Sequence, residues 1–286
     1  MNRSQKDRSM GRSLQEYLRG IAGGLMFSLP LLYTMEVWWA SFTMHPLRLL
    51  MYVLATFTLL LGYNRYAGLR CDFTPLEIAV DSVEEMGIGM VISAVVLWLL
   101  GQITTEMPGS EVAGKIIIES MTVAIGVSVG TAQLGGSEDN GDTGMDDKLT
   151  PFLSENSDLM GQVAIATCGA VLFAANVAPT EEIIIIATQT TALKLVAMAM
   201  LSMVFGSLIL FYSDFSRSQS FSKSRGIKTV FGGAIITYAI ALIVSAAILW
   251  VFGRFDDTSA IVCLSETVVL GLAATLGASA GRLLLQ

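Results

Sequence analysis

Apolar residues gather into eight long runs, each of about 20 residues and poor in charge, separated by short polar stretches. They fall roughly at 18–41, 46–66, 84–105, 112–134, 160–187, 193–213, 228–252 and 259–284. Runs of this length cross a bilayer as helices, because lipid offers no partner for an unpaired backbone amide. The pattern predicts an all-α polytopic membrane protein with about eight transmembrane helices.

The runs also repeat. A shift of 146 positions lays Phe27 on Phe173, Thr34 on Thr180, Glu36 on Glu182, and Leu47-Arg48-Leu49 on Leu193-Lys194-Leu195. Further along, ISAVVLWLLG (92–101) matches VSAAILWVFG (244–253), Glu119-Ser120 falls on Glu266-Thr267, and Gly130 on Gly277. Leucine matches between apolar segments carry little weight, but Glu, Trp and Gly recur here in the same order. The expected organisation is a basic cytoplasmic N-terminus (1–17), a first four-helix repeat (18–134), an acidic cytoplasmic linker (135–159) and a second four-helix repeat (160–286). Four crossings is an even number, so both repeats enter the membrane from the same side and are related by an axis along its normal. A single miscounted span would make them inverted instead.

Composition narrows the class. Of 286 residues, 53% are hydrophobic and 14% charged, where a soluble domain carries about 25% charged residues. The net charge of −7 is concentrated in the linker, and nothing resembles a basic, aromatic-studded groove for nucleic acid. Of the 17 Lys and Arg, all but Arg48, Lys115, Lys194 and Arg254 fall on the side of the termini. The positive-inside bias therefore predicts cytoplasmic termini. The first apolar run continues through Pro30 and Glu36 and is read as a retained helix, not a signal peptide. Cys71, Cys168 and Cys263 are scattered and read as packing residues. One histidine, His45, and no Walker sequence argue against an enzyme, a zinc site or an ATP-driven pump, and no cofactor is implied.

Four glutamates interrupt the apolar runs: Glu36, Glu119, Glu182 and Glu266. Each lies about five to eight residues inside the outer end of its span, roughly 7–12 Å deep at 1.5 Å per residue. A carboxylate at membrane depth costs at least about 2.5 kcal/mol and calls for a partner or a task. The four are expected to converge as a cation- and proton-binding site and to serve as metal ligands. Thr34, Thr180, Ser120 and Thr267 would add hydroxyl oxygens, and Pro30 and Pro179 would free backbone carbonyls. Ca²⁺ takes six to eight oxygens, so a divalent ion such as Ca²⁺ or Mn²⁺ is expected. No Lys or Arg is positioned within the spans to neutralise the set, which leaves a metal ion, protons or both as counter-charge. Burial and crowding favour the neutral acid, and an entering cation displaces its protons. The alternative for each glutamate alone is a protonated packing group, or a side chain reaching to the nearby surface.

Accessory candidates are Glu181, Asn176, Glu84 and Glu85. With Asp81, the last two open the third span, and they read equally well as a solvated helix N-terminus. In the linker, Asp139 and Asp142 miss the spacing of a calcium loop, so a flexible linker is expected. Gly20/Gly24, Gly126/Gly130 and Gly277/Gly281 follow the close-approach pattern of membrane helices. They are read as packing within one subunit first, and as contacts of a homo-oligomer second. Trp38, Trp39, Trp98 and Trp250 suit an interfacial belt.

The segments ANVAPTEEI (175–183) and MEVWW (35–39), with the eight-span layout, resemble a family of bacterial multi-pass integral membrane proteins of unknown function. That resemblance covers nearly the whole chain and implies no activity. More loosely, Asn176-Val-Ala-Pro179-Thr-Glu-Glu182 is similar to the Asn-x-Pro-Glu signature of the calcium:cation antiporters. Those have inverted five-helix repeats, and the first repeat here lacks the Asn, so the similarity implies cation exchange by chemical analogy alone. The expected function is a secondary transporter exchanging a cation for protons, with lipid bilayer, metal cation and protons as partners. The alternatives are a cation channel with an acidic filter ring, or a non-transporting scaffold or regulatory subunit.

Overall fold

The structure is a computed structural model that describes residues 10–66, 74–135, 151–217 and 227–284. The first nine residues of the basic N-terminus, Cys71, and residues 136–150 of the acidic linker with Asp139 and Asp142 lie outside the described residues. Ten helices follow in order: α1 (Met10–Leu32), α2 (Met35–Thr43), α3 (Pro46–Tyr66), α4 (Pro75–Leu99), α5 (Gly109–Gly135), α6 (Pro151–Val177), α7 (Glu181–Gln189), α8 (Ala192–Arg217), α9 (Ile227–Val251) and α10 (Ala260–Leu284). No strand occurs among the described residues. Among the described residues seven helices are long and apolar enough to cross a membrane, or eight if the bent pair α1 and α2 counts as one span.

Two predicted spans are not continuous. The first turns by 81° between α1 and α2. The fifth breaks at residues 178–180, between α6 and α7. Pro179 explains the second break, because a proline ring disfavours helical backbone at the residue before it. In the first half the proline, Pro30, lies inside α1 and the break follows one turn later. Thr34 and Thr180 are the N-caps of α2 and α7, both with extended backbone. Their hydroxyls point backward, Thr34 Oγ1 donating to Pro30 O (2.8 Å) and Thr180 Oγ1 to Val177 O (2.8 Å). The same carbonyls also accept backbone amides, Pro30 O from Tyr33 N (3.3 Å) and Val177 O from Thr180 N (3.1 Å).

Two starts differ from the sequence pattern. Helix α4 begins at Pro75, well before residue 84, because Thr74 and Glu77 form a reciprocal capping box with Pro75 in the first turn. Its polar opening residues, Glu77 and Asp81, hid that turn from an apolar-run reading. Helix α6 begins at Pro151 and takes in residues 151–159 of the predicted linker.

The repeat is built into the packing. In the first half α5 packs most extensively against α1 and α4, and also against α2 and α3. In the second half α10 does the same with α6, α9, α7 and α8. Glycines let the closest pairs meet at equivalent positions. A Cβ on Gly23 would collide with Gly130, and one on Gly169 with Gly277. Helices α4 and α9 end in the same way: Gly101 and Gly253 adopt φ of 71° and 74°. The next amides reach back, Gln102 N to Leu97 O (2.8 Å) and Arg254 N to Leu249 O (2.9 Å).

Helix directions follow from side-chain contacts. Helix α3 runs parallel to α5, with Tyr52 on Thr122 and Asn64 on Ser128. It runs antiparallel to α6, with Tyr66 on Gly161 and Gly62 facing Ala164. Helix α1 is antiparallel to α5, with Gly20 on Thr131 and Gly24 on Val123. It follows that α1 and α6 point the same way. The halves meet chiefly through α3 and α6. The hub helix α5 has 78% of its apolar stretch buried, against 17% for α8 on the periphery. Outward-facing residues such as Leu54, Val91, Val196 and Val204 are exposed and apolar, as a lipid-facing belt requires.

Candidate functional site

Only two of the four glutamates enter the interior. Glu119, on hub helix α5, and Glu266, on hub helix α10, are both 0% exposed. All four of their carboxyl oxygens lack a hydrogen-bond partner. They occupy equivalent positions in the repeat, about ten residues (roughly 15 Å) into α5 and about six (roughly 9 Å) into α10.

Glu36 and Glu182 do not join them. Glu36 is half-buried in the first turn of α2. Glu182 and its neighbour Glu181 are exposed in the first turn of α7. The helix breaks account for this. Helix α2 buries Val37 and Ala40, and α7 buries Ile183 and Ala187, so each glutamate falls off the packed face. An acidic residue in a first turn complements the helix dipole. Among the described residues no three His, Cys, Asp or Glu side chains gather closely enough to hold a metal ion. The expected convergence of four carboxylate ligands is not present in this structure.

The predicted hydroxyl ligands also turn elsewhere. Besides Thr34 and Thr180, Ser120 Oγ donates to Ile117 O (2.9 Å) and Thr267 Oγ1 to Cys263 O (2.7 Å). Asn176 donates to Leu172 O and reaches Phe27 O across the two halves (3.5 Å), while its Oδ1 is buried without a partner. It ties α6 to α1 rather than serving the glutamates.

The two buried carboxylates have different surroundings. Trp38 of α2 turns its indole toward Glu119, yet Trp38 Nε1 stays unpartnered. Tyr52 of α3 also faces Glu119 and bonds Thr122, one turn along α5, at 3.0 Å. Glu266 lies nearer the edge of its half and within electrostatic reach of Arg254, in the turn between α9 and α10. The Arg254 guanidinium also donates to Pro179 O, at the α6–α7 break. Arg254 approaches Glu266 from the α9–α10 turn, outside the helices themselves. Lys115, 5% exposed, is engaged with Glu111 (2.9 Å) and Gln102 O (3.2 Å).

The family described as "Putative integral membrane protein (DUF2391)" matches residues 16–285, nearly the whole chain. The chain belongs to this family. It is a multi-pass integral membrane protein, and family membership carries no activity with it. No curated protein and no solved structure matches the chain. The similarity to the antiporters thus rests on the segment from Asn176 to Glu182 alone, and within that segment Glu182 faces outward.

The remaining accessory candidates lie at the other end of the bundle. Glu84 is exposed and accepts a hydrogen bond from Tyr17. Glu85 turns inward, where Asn64 Nδ2 donates to it at 2.8 Å. Trp38, Tyr52, Arg254 and Asn64 were not singled out from the sequence as site residues. Tyr52 and Asn64 carried a signal, since each is a polar interruption of the second apolar run. Trp38 and Arg254 carried none, because each takes its position from a helix break or a turn.

Proposed function

We propose that the protein is a secondary transporter that exchanges a cation for protons, with Glu119 as the exchanging carboxylate. The observation that carries this reading is a fully buried carboxyl group, without a hydrogen-bond partner, on the hub helix of each half. Such a group is kept only when something offsets its burial, and a proton or a cation does so. Lys115, one turn before Glu119 on α5, is engaged with Glu111 and Gln102 instead, whereas Glu266 has Arg254 within electrostatic reach. We therefore place the exchange chemistry in the first half, and in the second a carboxylate under the electrostatic influence of Arg254.

One carboxylate per half suits a proton or a monovalent cation better than Ca²⁺ or Mn²⁺, which draw on several oxygens at once. A filter ring would need its carboxylates around one axis, and the separate packing of α5 and α10 weighs against the channel. We further read both termini as cytoplasmic, on the strength of the Lys and Arg bias. No catalytic reaction is assigned to the chain.

The test is ion flux in proteoliposomes loaded with a pH dye, using Na⁺, K⁺, Ca²⁺ and Mn²⁺ in turn, with wild type beside Glu119→Gln. Ion-driven proton movement in the wild type, lost in the variant, is the expected result. Equal proton movement in both would remove Glu119 from the mechanism, and silence for every ion would leave the scaffold alternative standing.

A further inference from the structure

A second, partly buried polar cluster lies in the first half, away from Glu119, where α3, α4, α5 and α6 meet. Its centre is Glu85 of α4. Asn64 Nδ2 of α3 donates to Glu85 Oε2 (2.8 Å) and to Ser82 Oγ (3.1 Å). Ser128 of α5 donates to Asn64 Oδ1 (2.9 Å) and also lies against the Glu85 carboxylate. Ser82 in turn donates to Ile78 O (2.8 Å). Two further groups face Glu85 from the sides. The Tyr63 hydroxyl, on a side chain 0% exposed, is buried without a hydrogen-bond partner. The Cys168 thiol of α6 is likewise fully buried. On its own helix Glu85 has Asp81 and Glu84 as acidic neighbours, and Tyr17 of α1 reaches Glu84. Among the described residues the structure records no Lys or Arg interacting with Glu85.

We propose that Glu85 is a second proton-binding carboxyl group, serving the end of the bundle opposite to Glu119. Ser128 lies nine residues beyond Glu119 on the same helix, which separates the two levels by roughly 13 Å. The Tyr52–Thr122 pair stands between them. The ligand is a proton because of what the network offers. The Asn64 amide directs its N–H groups at Glu85 and Ser82, and its Oδ1 already accepts from Ser128, so a metal ion entering here would find a single carboxylate and few free oxygens. When Glu85 binds a proton, an O–H bond forms on its carboxylate. The proton comes from water at the Asp81 and Glu84 end, and the unpartnered Tyr63 oxygen is available to accept the new hydrogen bond.

The second half lacks this arrangement, which makes the site specific. At the positions equivalent to Asn64, Ser82, Glu85 and Tyr63 it carries Leu210, Ala234, Thr237 and Ile209. Only Ser128 has a polar counterpart of like kind, Thr275. A proton route with a station at each level therefore exists in one half only.

The use of Glu85 in exchange rests on the proton-coupled reading above, but its protonation can be measured without transport. Purified protein in lipid vesicles is titrated from alkaline to acidic pH, following the carboxylic-acid C=O band by infrared difference spectroscopy and counting protons taken up. The variants are Glu85→Gln, matched in size, and the double variant Asn64→Leu/Glu85→Thr, which installs residues the second half already tolerates. Each is expected to lose one carboxylic-acid component and one proton of uptake per chain, both of which Glu119→Gln retains. In the flux assay Glu85→Gln is expected to slow proton movement tenfold or more. A full wild-type band and full uptake in either folded variant overturns the proposal. If no ion drives proton movement in the wild type, the transport reading fails while the infrared titration still decides whether Glu85 binds a proton.

Discussion

Arg48 and Asp256, 208 residues apart in sequence, close a two-point ion pair with both nitrogen–oxygen distances at 2.6 Å. The same guanidinium lies over the Trp250 ring, 5.2 Å from its centroid. One side chain at the start of α3 thereby holds the turn from α9 to α10, the turn that also carries Arg254. The second half has no mirror image of this tie, because Asp256 aligns with Thr104.

The pair sets a pH dependence with a definite sign. Hydrogen bonds from Arg48 hold the Asp256 carboxyl below its ordinary value of 3.8. A carboxyl lowered on folding contributes stability above its unfolded value and loses it as pH falls through the lower, folded one. The melting-temperature difference between wild type and Asp256→Asn is expected to be equal at neutral and mildly acidic pH and to shrink only below about 3.8. Added salt should reduce it, since the pair is exposed. A difference that vanishes already in mildly acidic buffer would mean that another group sets it.

The glycine contacts make a matched comparison. Gly23→Ala and Gly169→Ala each force a Cβ onto the facing helix, and each is expected to cost about 1–3 kcal/mol, as overpacking does. At Gly87 a Cβ meets nothing within 4 Å, so Gly87→Ala should be neutral or stabilising by up to about 1 kcal/mol. Denaturation in detergent reads all three. Equal effects at the three sites would refute the close approach of α1 to α5 and of α6 to α10.

Glu119 and Glu266 should separate in a double-mutant cycle. Glu266→Gln and Arg254→Gln are expected to be non-additive by about 0.5–3 kcal/mol, as neighbours in one charge network are. Glu119→Gln with Arg254→Gln should be additive, since the two lie in different halves. Coupling of Arg254 to Glu119 as strong as to Glu266 would count against the assignment of the two roles.

The start of α4 depends on two side chains. Thr74→Ala removes the cap and is expected to cost about 0.5–2 kcal/mol, the usual range for such a loss. Glu77→Ala should cost less, because Thr74 Oγ1 still accepts from the backbone at residue 77. Hydrogen exchange of the first turn of α4 is the sensitive readout, and unchanged protection in Thr74→Ala would show that packing alone fixes this end.

The existence of most spans was legible because an apolar run of about 20 residues has few outcomes in lipid. The sequence matches between the halves coincide with like structure at Gly101 and Gly253, which end α4 and α9 with the same positive φ. The fate of the glutamates was not legible. Burial of Glu119 and exposure of Glu182 depend on where a break turns the chain and on which face then packs, and hydropathy carries no phase across such a break. Pro179 marked one break openly. Pro30 marked the other a turn early, so Glu36 looked like a residue inside a continuous span. Arg254 was assigned to a loop, correctly, but its reach back to Pro179 and Glu266 is a long-range contact that no local pattern encodes.

Because α1 and α6 run the same way, an ancestral half-length chain needed only one orientation in its membrane. Two copies could have met side by side as a homodimer, without the dual insertion that inverted repeats demand. In a symmetric pair the contact now made by α3 with α6 would have occurred twice, the second time between α8 and α1. Joining the two in one chain would lift that requirement and let the halves diverge, as the surroundings of Glu119 and Glu266 do.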